Sequence, residues 1–213
     1  MGNIHRLLML CAFATTLTLS LRGALADDWS VCMTAASPAA ASARACSEAL
    51  RRKDLSPFHR SLLLAARGDD YMHLHRYAAA RQDYTGSIDL DPVEDSAYAL
   101  RAAAEWKLHA LIVAERDASA AISRHLARPS NANNGSSDVL ASEYTQRGQI
   151  RLVKLNPSGA LADFQAAMKA DPAGITQKLR SLSQEAVRSA VGGTSHAPHS
   201  RQFNTLRVPH LDR

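Results

Sequence analysis

The sequence predicts an all-α chain built from antiparallel helix pairs stacked in a row. Three observations lead there. Apolar residues make up 46% of the 213-residue chain but aromatic ones only 5%, with alanine supplying much of the apolar share; small side chains of high helix propensity suit helices whose backbones lie close together. The segment RGDDYMHLHRYAAARQDYTGSIDLDP (67–92) recurs in weaker form as RAAAEWKLHALIVAERDASAAISRHL (101–126) and again as RGQIRLVKLNPSGALADFQAAMKADP (147–172). Helix breakers fall at the edges of the copies: Asp91-Pro92, the run RPSNANNGSSD (128–138) and Asp171-Pro172.

From the N-terminus, His5 and Arg6 precede an apolar stretch from Leu7 to Leu21, then Ala24-Leu25-Ala26 ahead of Asp27. This reads as an export signal over 1–26, the small residues suiting a peptidase that accepts only such side chains. The alternative, an uncleaved anchor, falls short of the roughly 20 apolar residues a bilayer span needs, so no stable membrane span is expected in the mature form. Removing 1–26 takes away Arg6 and Arg22 and no acid, so the net charge of +5 falls to +3. The basic residues are scattered, which gives no reason to expect nucleic acid as a partner. Cys11 departs with the signal and leaves Cys32 and Cys46. An even pair in an exported, periplasmic or secreted chain suggests a disulfide; two buried free thiols are the alternative, and two cysteines alone leave zinc two ligands short.

Within the copies, Arg67, Arg101 and Arg147 coincide, as do Ala80, Ala114 and Ala160, and Asp83, Asp117 and Asp163. Tyr84, Ala118 and Phe164 share one position, and Ile88, Ile122 and Met168 another. Arg67 to Arg101 is 34 residues; Arg101 to Arg147 is 46, or 34 with an insertion of 12, which the 128–138 run accommodates. The pattern R-G-x-x-Y followed by A-x-x-D-Y-x-x-S-I-x-L-D-P resembles the tetratricopeptide repeat family, in the style of exported bacterial members. The resemblance covers about half the chain. The second copy departs from it, with Ala102 for the glycine and Ala118 for the large aromatic.

The resemblance implies a right-handed α-solenoid with an array over 57–172 and insertion at 128–138. In the first copy one helix is expected from Pro57 to Leu74 and the next from Tyr77 to Leu90, ended by Asp91-Pro92 because proline disfavours α geometry before it. A lone hairpin cannot bury its apolar face, so caps are expected at both ends. Ile175, Leu179, Leu182 and Ala186 lie on one face of a C-terminal capping helix (175–190). Segment 42–50 echoes a second helix, with Cys46 in the place of Tyr84, so a Cys32–Cys46 bond would staple a degenerate N-terminal hairpin over 27–53. Residues 191–213 lack a helical period and read as a disordered tail, whose His196, His199 and His210 are irregularly spaced.

The resemblance also places the partner-binding groove. Asp69, Met72 and His73 line it in the first copy, Ala103, Trp106 and Lys107 in the second, Gln149 and Leu152 in the third. Trp106 reads as a peptide anchor or as packing between the second and third copies. The lysines and asparagines with which some family members grip a terminal carboxylate are missing: their places hold Ala65, Ala66, Asp69, Ala99, Leu100 and Ala103. No catalytic constellation, phosphate-cradling loop, cofactor motif or metal-ligand spacing stands out; His73 and His75 diverge on a helix. The expectation is a non-catalytic scaffold of the bacterial periplasm or envelope that binds a protein or peptide. Its alternative is a structural component of an envelope or secretion assembly, contacting through the tail or insertion.

Overall fold

A computed structural model describes residues 28–34, 37–128, 137–174 and 177–191. The predicted export segment, most of the insertion, Ile175 at the start of the predicted cap and the tail beyond 191 lie outside the described residues. Those described are helical: α1 (28–33), α2 (Ala39–Leu50), α3 (Pro57–His73), α4 (Tyr77–Leu90), α5 (Asp95–Lys107), α6 (Leu111–Ala127), α7 (Ser137–Val153), α8 (Pro157–Ala170) and α9 (Gln177–Val191). The tightest pairs are α3 with α4, α5 with α6 and α7 with α8, the three predicted hairpins.

Each hairpin turns the same way. His75, His109 and Leu155 take the left-handed conformation (φ 57, 61 and 58°). The next amide then closes the helix end: Arg76 N–H donates to Tyr71 C=O at 2.8 Å, Ala110 to Glu105 at 2.9 Å, Asn156 to Arg151 at 2.8 Å. This turn satisfies carbonyls that a helix end otherwise leaves open. In the first and third hairpins the glycine makes room for an aromatic ring: a Cβ on Gly68 would stand 2.6 Å from Tyr84, and one on Gly148 2.6 Å from Phe164. Both rings are fully buried.

The ends are covered as expected. Cys32 and Cys46 are disulfide-bonded, Cα–Cα 4.8 Å, and pack with Ala45, Ala49, Leu63 and Ala66 of α2 and α3. At the other end Leu179, Leu182 and Ala186 of α9 close over Ala160, Phe164 and Ala167 of α8.

Candidate functional site

Curvature follows from which helices touch. The first helices meet in sequence, α3 with α5, α5 with α7 and α7 with α9, whereas α4, α6 and α8 do not meet one another among the described residues. The first helices therefore form the crowded inner layer, the face on which the groove is predicted. Gln146 ties it further, its Nε2 donating to the Ala99 carbonyl at 3.0 Å.

The predicted groove residues separate into two groups. His73 is exposed, and Met72, Trp106 and Lys107 are half-buried. Asp69 is also half-buried and accepts the Tyr84 hydroxyl at 2.7 Å. Ala103, Gln149 and Leu152 are buried. Leu152 belongs to the cluster around Phe164, and neither amide atom of Gln149 has a hydrogen-bond partner among the described residues. Met72 packs beside Ala80, Tyr84 and Ala104, joining the first hairpin to the second. Trp106 packs on Ala102, Ala114, Ala118 and Ile150, joining the second to the third. The surface within reach of a ligand is thus narrower than the eight positions suggest: His73, Lys107 and the open sides of Met72 and Trp106.

The recurrent arginines and aspartates, seen in the sequence only as coincidences, are partners. Arg67 binds Asp83 through Nε at 2.8 Å and Nη2 at 2.7 Å; Arg101 binds Asp117 through Nε at 2.6 Å; Arg147 binds Asp163 through Nη2 at 2.6 Å. The same arginines reach back to the preceding helix pair. Arg67 Nη1 donates to Ser47 at 3.1 Å, Arg101 Nη1 to Thr85 at 3.3 Å, Arg147 Nη1 to Ser119 at 3.2 Å. The aspartates are nearly fully buried, and arginine pairing, bidentate at Asp83 and Asp163 and through Nε alone at Asp117, offsets their desolvation. Their recurrence is structural, as the sequence pattern implies.

Glu105 and Glu143 are buried without such an arginine. Burial, with Asp117 nearby, pushes Glu105 up to about 7. Burial, with Asp95 nearby, pushes Glu143 up to about 8. Glu143 lies beside Asp95 and His125, all three buried, in a grouping absent from the sequence-predicted sites. One signal was readable: His125 continues the buried stripe of Ala118, Ala121 and Ile122 at helical spacing, a polar residue on an apolar face.

With this geometry in hand, comparison with solved structures is decisive. The first tetratricopeptide domain of Spaghetti, solved bound to an HSP90 peptide, aligns with a TM-score of 0.54 at 21% identity, covering 63% of this chain and 98% of that one. The fold is that of a tetratricopeptide repeat domain. The MamA protein matches too, at TM-score 0.53 and 16% identity, over 75% of this chain and 88% of that one. In sequence, the chain is 31% identical over 126 residues to RNA polymerase II-associated protein 3 of Xenopus laevis, spanning 58% of this chain and only 17% of that relative. No protein-family model matches the chain.

Proposed function

We propose that the chain is a non-catalytic module of a bacterial periplasm or envelope that binds one short extended peptide across α3 and α5. The observation that carries this reading is the continuous inner layer with Met72, Trp106 and Lys107 half-buried along it. An indole partly covered by its own fold keeps a rigid apolar surface for a ligand at little entropic cost. The Spaghetti domain, of the same fold, holds its HSP90 peptide. The clamp positions here carry Ala65, Ala66, Asp69, Ala99, Leu100 and Ala103, so the peptide proposed is apolar and not an acidic tail. Export is supported by the Ala24-Leu25-Ala26 pattern and by the Cys32–Cys46 pair, since disulfides persist in oxidising compartments.

The chain has two tryptophans, so Trp29→Phe leaves Trp106 as the sole indole. Its emission should shift as an apolar peptide from an array binds. Met72→Glu should weaken that peptide by about tenfold with helix content unchanged, a loss of about 1.4 kcal/mol. Binding that survives Met72→Glu and disappears on deletion of 192–213 would transfer the contact to the tail. The export half fails if fractionation finds the chain in the cytoplasm with 1–26 still attached.

A further inference from the structure

The second hairpin departs furthest from its neighbours in the last turn of α6. Helices α4 and α8 stop before Asp91-Pro92 and Asp171-Pro172; the matching pair in α6 is His125-Leu126. With no proline to block it, the helix runs on to Ala127, and His125 sits inside it, 8% exposed. Facing His125 are Asp95, the first residue of α5, and Glu143 of α7. Glu143 stands where the first two hairpins place Leu63 and Ala97, both buried, so a carboxylate has replaced an apolar core residue.

Polar groups buried in this way need partners. Among the described residues Glu143 Oε1 and Oε2, Asp95 Oδ2 and His125 Nδ1 have no hydrogen bond. Arg128 serves the other oxygen, Asp95 Oδ1, at 2.5 Å and reaches Glu94 at 3.2 Å. His125 Nδ1 is 3.2 Å from Asp95 Oδ2 and 3.6 Å from Glu143 Oε2, and the three donor atoms lie within 4.8 Å of one another.

We propose that Asp95, His125 and Glu143 hold one divalent transition-metal ion, with zinc as the best fit, which clamps the second hairpin to the third. Ligand atoms about 2.0–2.2 Å from zinc at tetrahedral angles stand roughly 3.3–3.6 Å apart, and two edges of the triangle, 3.2 and 3.6 Å, are close to that length. One imidazole with two carboxylates suits zinc or a neighbouring transition metal better than calcium or magnesium, which prefer oxygen alone. A dication cancels the charge of two carboxylates and engages three of the four unpartnered atoms, leaving one Glu143 oxygen for the metal-bound water. Three protein ligands leave the fourth position to water. The ligands come from α5, α6 and α7, next to the insertion, where the array has lost its regular continuity. The rival arrangement is a metal-free triad in which His125 donates a hydrogen bond to one of the carboxylates.

Zinc titrated into the chelator-stripped full chain decides between them. Wild type should bind one ion per chain and gain roughly 5–10 °C in Tm at a hundredfold excess over Kd, reversibly with EDTA. Cobalt in place of zinc should give the intense visible absorption of a tetrahedral site. His125→Gln and Glu143→Gln should each weaken binding by at least about tenfold and abolish the Tm response, with helicity by circular dichroism retained. The double variant His75→Asn with His109→Asn, which alters exposed histidines only, should bind as wild type does. A wild-type Tm indifferent to zinc and EDTA overturns the proposal in favour of the metal-free triad, whatever the variants do. So does zinc binding that survives His125→Gln or is lost in the surface variant.

Discussion

The first and second hairpins turn and pair alike, and three of the matched places at which they differ bear on packing. Where the first has Gly68, Tyr84 and Tyr71, the second has Ala102, Ala118 and Glu105. Two of the changes offset one another. In the first hairpin the missing Cβ makes room for a ring; in the second a Cβ is present and the ring is gone, with Ala102, Ala114, Ala118, Ile150 and Trp106 filling the region. Size is conserved over the pair, not at either position, as close-packed interiors require. The third change has no such offset. Tyr71 is a half-buried ring under Arg76, 4.7 Å from guanidinium carbon to ring centre, whereas Glu105 is 5% exposed with Oε2 unpartnered. A sequence that weakens as a motif can therefore keep its packing and still carry an electrostatic cost.

Pushing the third hairpin toward the second tests the size exchange and should give the largest effect. Gly148→Ala places a Cβ against the Phe164 ring and should cost about 3 kcal/mol in urea unfolding. Adding Phe164→Leu should bring the double variant well short of the sum of the two single losses, with a coupling of at least about 1 kcal/mol; strict additivity would end the interpretation. Glu105 tests the electrostatic cost. Its folded-state pKa of about 7 lies above the ordinary value of 4.5, so the unfolded chain releases this proton first and deprotonation favours unfolding. The stability tied to Glu105 is full below pH 4.5 and is lost as pH climbs through 7, a fall on the order of 2–3 kcal/mol. Glu105→Gln should flatten that part of the curve measured between pH 4.5 and 8; an unchanged slope would count against it. The smallest effect concerns the Tyr84 hydroxyl, which serves Asp69, whereas Phe164 leaves the matching Gln149 without a partner. Phe164→Tyr should add about 1 kcal/mol, and a lower Tm would show that the ring site has no space for the oxygen.

Much of this was legible in the sequence because repetition reads itself: fixed offsets located the hairpins, prolines their ends, and the Leu179, Leu182, Ala186 stripe the terminal cap. The aspartates could be seen to recur, but their arginine partners lie 16 residues away on another helix, beyond any local period. Groove positions transfer less well. Burial of Ala103, Gln149 and Leu152 depends on how closely successive first helices approach, which residue spacing on one helix does not set. The Asp95, His125, Glu143 grouping was hidden for a similar reason, since its members come from three helices and its clearest clue is a proline that is missing.

The backward reach of Arg67, Arg101 and Arg147 gives the array a direction. Each of these arginines completes its ion pair within its own hairpin and asks of the preceding pair only a hydroxyl, from Ser47, Thr85 or Ser119. Nothing in that wiring waits on chain still to come. Added from the N-terminal end, each of these three pairs closes within its own hairpin and docks onto a hydroxyl already in place, so an order of assembly from the N-terminus is a workable one.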